Sequence, residues 1–130
     1  MKVLRLTYVL ALLIAFSACK KDDDEGPTCT RVIWSGTYTG TADCDGNSDP
    51  ATITITASGD NDIVIRYVTG SVTTTFDPLP VTNCMIERTN SAGGVTGSVS
   101  TTLDGDKFSL TETLTGGGFN TNCQVEATRD

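Results

Sequence analysis

Apolar and polar residues alternate over much of the chain with a period of two. Thr52-Ile53-Thr54-Ile55-Thr56 puts its isoleucines on odd positions, and Phe108, Leu110 and Leu114 share one side of a run whose other side carries Ser109, Thr111, Thr113 and Thr115. Such alternation marks strands with one buried and one wet face, and no window sustains the 3.6-residue period of a helix. Turn formers separate the runs: Ser58-Gly59-Asp60-Asn61, Thr69-Gly70, Asp77-Pro78, Asn90 to Gly94, Asp104-Gly105-Asp106 and Gly116-Gly117-Gly118. The pattern predicts eight strands, near 36–43, 51–57, 62–68, 71–76, 80–88, 95–103, 107–115 and 119–128. Short turns between consecutive strands imply an all-β antiparallel meander, and eight such strands close naturally into a small up-and-down barrel. A two-layer β-sandwich is the alternative; an immunoglobulin-type sandwich fits poorly because the single tryptophan, Trp34, precedes the first strand.

Composition strengthens the sheet reading. Residues 28–130 hold 22 threonines, β-branched and half polar, which suit strand positions facing water. The net charge is -7, there is no histidine, and the basic residues after Thr28 are Arg31, Arg66, Arg88, Lys107 and Arg129. No basic stripe is present, which argues against a nucleic-acid surface, and no imidazole is available as a general base. Lys107 lacks a Ser-x-x-Lys signature, and the acids lie scattered over turns. The chain therefore reads as no enzyme, and nothing in it calls for a cofactor.

The N-terminus differs from the rest. Lys2 and Arg5 precede the apolar run Val9–Phe16, which is too short to span a bilayer comfortably, and Phe16-Ser17-Ala18 leads into Cys19. This resembles a lipoprotein signal peptide, 1–18, cleaved so that Cys19 becomes the acylated first residue. Residues 19–27, with Lys20-Lys21-Asp22-Asp23-Asp24-Glu25, form a solvated acidic tether because like charges repel and little apolar surface is available to bury. A lysine followed by acids after the lipidated cysteine is similar to the export signal of surface lipoproteins in Bacteroidota. It implies an outer-membrane protein, lipid-anchored and exposed at the cell surface, with a periplasm-facing lipoprotein as the alternative; residues 28–130 are the single β-barrel domain that the alternation predicts.

Four cysteines remain for that domain: Cys29, Cys44, Cys84 and Cys123. An even number in an exported domain reads as two disulfides; zinc is disfavoured, since no pair has CxxC-like spacing and no histidine can join them. Three connectivities are possible. A closed meander makes the first and last strands neighbours, so Cys44 belongs near Cys123, with parity directing both at the core, and Cys29 is left with Cys84.

Trp34-Ser35-Gly36-Thr37-Tyr38-Thr39-Gly40-Thr41 at the start of the domain, the threonine-rich hairpins, and Asn122-Cys123 followed by Val125-Glu126-Ala127-Thr128 at its end are similar to the small lipocalin-like, or calycin-like, lipoproteins of Bacteroidota. Lipocalins carry Gly-x-Trp at the first strand and are longer; here the order is Trp34-x-Gly36-x-Tyr38. The resemblance implies a lipocalin-like barrel and an outer-membrane address. It implies much less about activity.

Candidate sites are few. Asp43, Asp45, Asn47 and Asp49 carry oxygen donors at alternate positions, the chemistry calcium requires, yet Gly46 is out of place for an EF-hand and no closing glutamate follows. The same residues make an ordinary polar hairpin. Glu112 falls by parity on the inner face, where a lone carboxylate is expensive. Either a bulge turns it to solvent, or it is a polar handle that orients a small ligand in a barrel whose aromatic lining is Tyr38, Tyr67 and Phe108. Val64 and Val68 point outward as incidental surface or part of a partner patch. Trp34 reads as a plug for one barrel end or, less simply, as an exposed ring for a sugar. Two functions follow: a barrel binding a small apolar ligand, or an accessory lipoprotein engaging a protein or glycan partner through its loops.

Overall fold

The computed structural model describes residues 28–130; the expected signal peptide, Cys19 and the tether lie outside the described residues. A single helical turn, α1 (Arg31–Trp34), precedes nine strands: β1 (Gly36–Cys44), β2 (Asn47–Ser58), β3 (Asp62–Thr69), β4 (Val72–Thr75), β5 (Leu79–Pro80), β6 (Met85–Ala92), β7 (Val95–Asp104), β8 (Lys107–Gly116) and β9 (Phe119–Arg129). All belong to one antiparallel sheet in the order β4-β3-β2-β1-β9-β8-β7-β6, with β5 added beside β3. The first and last long strands pair, as the meander requires, from Tyr38 opposite Arg129 to Cys44 opposite Cys123. The sheet curls around its apolar face without closing, because no ladder joins β4 to β6 among the described residues.

The reason lies in the segment expected to be the fifth strand. Of 80–88, only Pro80 and Met85 onward are strand, and between them the chain braces other parts of the molecule. Val81 and Asn61 exchange hydrogen bonds of 2.9 and 2.7 Å, the Asn83 carbonyl accepts from Trp34 Nε1 at 3.0 Å, and Cys84 is bonded to Cys29. Pro78 and Pro80 lack the N–H groups that a central ladder needs. The strand therefore starts late and runs on to Ala92.

The first hairpin is tighter than the sequence implied. Only Asp45 and Gly46 turn, with φ of 54° and 84°, the two positive values of a type I′ connection. Pro50 is accommodated within β2 because residues 47–50 pair with β1 alone, leaving one side of that stretch without a ladder.

The inner face carries the core. Tyr38, Ile53, Ile55, Ile63, Ile65, Phe108, Leu110 and Val125 are essentially fully buried, all at the alternating positions. Each contributes on the order of 1.5–3 kcal/mol by leaving water. Gly40 lies where β1 meets β9; a side chain there would collide with the Glu126 carbonyl and the Ala127 backbone, so the close approach needs glycine.

One end of the curl is sealed. Trp34 packs edge-on against Phe108, with ring centroids 6.4 Å apart, and Tyr38 tilts against the same ring at 5.5 Å. Tyr38 Oη donates to the Trp34 carbonyl at 2.8 Å, and the Arg129 guanidinium, 4.8 Å from the Tyr38 ring centroid, donates to the Tyr38 hydroxyl and to the carbonyls of Ser35 and Ile33. Trp34 is therefore a buried plug, which excludes its reading as an exposed sugar platform.

Candidate functional site

On the inner face the register sets Arg88, Val99, Glu112, Cys123 and Cys44 in one row across five strands. Pairing on both sides of β8 runs without interruption through Glu112, so the bulge expected to turn it outward is absent. Its carboxylate is satisfied from across the interior. Tyr67, on β3, donates its hydroxyl to Glu112 Oε2 at 2.7 Å. Between β3 and β8 lie β2, β1 and β9, so this bond spans the hollow of the curl. Burial, then the bond to Glu112, push the Tyr67 phenol up to about 12.

Beside Glu112 the missing ladder between β4 and β6 leaves a cleft of about 240 Å³. Phe76, Leu79, Val99 and Leu114 supply apolar wall, and Arg88, Asn90, Asp77 and Glu112 supply polar groups. Arg88 is half-buried. It donates from Nη1 to the Pro78 carbonyl at 3.4 Å, and from Nε to the Asn90 amide oxygen at 3.3 Å when that amide is oriented to satisfy both its neighbours. A second hollow, about 400 Å³, opens between the β1–β2 and β3–β4 turns, against Ala42, Asp49, Tyr67, Thr69 and Val72. Tyr67 lines one hollow and Glu112 the other, so their hydrogen bond stands between the two.

Of the four residues expected to line a ligand space, the structure brings Glu112 and Tyr67 together there. Tyr38 and Phe108 instead fill the sealed end and touch neither hollow. Arg88 was missed. With the strand expected to finish at 88 it looked like a terminal residue; its alternation with the buried Ile86 is the signal that places it inside.

The oxygen donors of the first hairpin do not converge. Cys44 pairs with Asn47 and Ala42 with Asp49, which puts Asn47 and Asp49 on the inner face, whereas Asp43 lies on the outer one. Asp45, at the turn, accepts from the Asn122 N–H at 2.9 Å. A two-residue turn thus splits the set by parity, and no group of three or more metal-type ligands occurs among the described residues.

Cys44 and Cys123 are bonded at directly opposed positions, Cα atoms 4.0 Å apart, and Cys29 is bonded to Cys84. The Asp45 N–H donates to the Asn122 carbonyl at the next position, which makes the Cys44–Cys123 pair the non-hydrogen-bonded kind, where facing side chains come closest. No helix among the described residues is long and apolar enough to cross a membrane. Comparison with family models, curated proteins and solved structures finds no match to this chain.

Proposed function

We propose that this chain is an outer-membrane lipoprotein, anchored through Cys19 and exposed at the cell surface, whose curled sheet is a lipocalin-like barrel that binds a small apolar ligand. The observation that carries the binding role is the cleft beside Glu112: apolar walls with a few inward polar groups, at the seam where no ladder joins β4 to β6. The sealed opposite end makes the curl a cup, with rigid strands behind the lining. On this reading the chain acts as a binding protein and not as an enzyme, a reading that rests on the sequence, which has no histidine and no Ser-x-x-Lys signature at Lys107. The address rests on the leader and the acidic tether in the sequence.

Native mass spectrometry of the mature protein, released from detergent under non-reducing conditions, tests both parts. The expected mass includes acyl chains on Cys19 and a stoichiometric small-molecule adduct. A bare, unacylated mass after expression in a lipoprotein-processing host counts against the anchor, and failure of every apolar probe to bind counts against the cleft.

A second reading has its own support. Val72 and Phe119, the first residues of β4 and β9 just after the β3–β4 and β8–β9 turns, are more than half exposed at the end away from the aromatic plug. That end would face a protein or glycan partner if the barrel were only a support. Substituting both residues by serine separates the two readings: apolar-ligand uptake should persist if the cleft is the site, whereas capture of a protein or glycan partner should be lost if this end is.

A further inference from the structure

We infer that the cleft selects a zwitterion with an apolar body, a hydrophobic α-amino acid, holding its carboxylate at Arg88 and its ammonium at Glu112. The inference rests on the ligand-binding reading above and names the chemical class it would take. Three observations carry it.

First, Arg88 and Glu112 are both inward, both half-buried and both at the cleft, yet no ion pair joins them. The one ion pair among the described residues is Arg129 with Asp106, at the sealed end. They flank Val99 in the same cross-strand row, so strand spacing sets their Cα atoms roughly 10 Å apart. A cation and a carboxylate rooted at that backbone spacing, with an apolar residue between them and no ion pair joining them, leave a gap for a molecule that carries both opposite charges. A ligand spanning it satisfies two charges that form no ion pair among the described residues.

Second, each charged group keeps unused capacity toward the cleft. Glu112 has engaged Oε2 with Tyr67, and no hydrogen bond falls on Oε1 among the described residues. Among the described residues Arg88 makes two long contacts, to the Pro78 carbonyl and to Asn90, and no ion pair. A guanidinium presents five donors in a planar fork suited to a carboxylate.

Third, size and charge exclude the neighbouring classes. A cleft of about 240 Å³ lies below the roughly 300–1,000 Å³ of pockets for drug-sized ligands, and matches a single residue better than a long-chain lipid. With a net charge of -7 the protein repels a free anion at long range, whereas a zwitterion has no net charge to repel. Leu79, Val99 and Leu114 then take the apolar side chain.

The test is calorimetric titration of the mature protein with four compounds of one shape: leucine, 4-methylpentanoate without the ammonium, 3-methylbutylamine without the carboxylate, and 4-methylpentanol without either charge. Leucine should bind at least tenfold more tightly than each of the others. Arg88→Gln should erase the advantage of leucine over the amine, and Glu112→Gln its advantage over the carboxylate. Far-ultraviolet circular dichroism verifies that each variant is folded, and Arg88, at the free edge of the sheet, suffices if Glu112→Gln is not. If the alcohol binds as well as leucine, the inference fails and the apolar-ligand reading stands. Binding of the carboxylate or the amine alone at leucine's affinity overturns it in favour of a singly charged ligand. If none of the four binds, and no apolar adduct is found by native mass spectrometry, both readings fall together.

Discussion

At the sealed end, Trp34, Tyr38 and Phe108 bring their rings together, and every polar group they carry finds a protein partner: the indole N–H meets the Asn83 carbonyl, the phenol meets Trp34 and Arg129, and Arg129 also binds two carbonyls. At the cleft the same types of group, a phenol, a guanidinium and a carboxylate, sit on the same inner face, but their hydrogen-bonding capacity is only partly used among the described residues. The difference follows from backbone pairing. Next to the plug, β1, β8 and β9 are paired on both sides, so side chains converge from a fixed wall; at the cleft, β4 and β6 each lack one neighbour. Saturated polar groups within a continuous ladder stabilise, whereas unsaturated ones beside a missing ladder are open to a ligand. The molecule thus separates the part that holds it together from the part that can bind.

The strongest test of that separation is Phe108→Ala. Removing a fully buried ring from contact with both Trp34 and Tyr38 should cost about 3–5 kcal/mol, read from the denaturant midpoint. Leu114→Ala at the half-buried cleft wall should cost much less and should weaken ligand binding instead. Equal stability losses at the two sites would collapse the comparison. Arg129→Met comes next. It leaves the Ser35 and Ile33 carbonyls and the Tyr38 hydroxyl without their charged donor, at about 1.5–3 kcal/mol for the charge-assisted bonds, and ligand affinity should not move.

Alternation alone made the inner face legible: Ile53, Ile55, Ile63, Ile65, Phe108 and Leu110 are all buried where parity put them. The pairing of β1 with β9, and with it Cys44 opposite Cys123, follows from meander logic because parity and order along the chain are local properties. The late start of β6 was not legible. It depends on Trp34, Asn61 and Cys29 claiming residues 81–84, and these partners are remote in sequence. The open seam follows from the same diversion, since the connector that would have carried a closing strand is occupied elsewhere. Glu112 and Tyr67 were each named, but they lie 45 residues apart, and only the curl of the sheet brings phenol to carboxylate. Arg88 stayed hidden for a register reason: moving the strand boundary a few residues changes which side chains continue the inner row.

Two smaller effects sharpen the picture of the cleft. The folded Tyr67 phenol titrates near 12, and an unfolded one near 10. Between those values the unfolded chain has lost the proton and the folded chain has kept it, so stability is complete below pH 10 and declines as pH rises toward 12. Tyr38, whose phenol is also raised, mainly by burial, adds to the same decline. Tyr67→Phe should flatten part of this alkaline slope in denaturation midpoints measured from pH 9 to 12, leaving the share that belongs to Tyr38. An unchanged slope would mean that Tyr67 does not hold its proton against Glu112.

Glu112→Gln is the finest probe, because the amide keeps an acceptor oxygen for the Tyr67 hydroxyl while removing the charge. Stability at neutral pH should change by less than about 1 kcal/mol, since a charge-assisted bond becomes a neutral one while the desolvation cost of the carboxylate disappears. Burial is the larger cause of the raised phenol, and the hydrogen bond and negative charge of Glu112 the smaller ones. The Tyr67 titration, followed by ultraviolet absorbance of the phenolate, should therefore move down from about 12 while staying above 10. A fall all the way to 10 would show the phenol to be solvated, with no sheltered interior behind it, although its side chain is buried. A phenol left at about 12 would assign its whole shift to burial, and Glu112 would owe its inward position to sheet register alone.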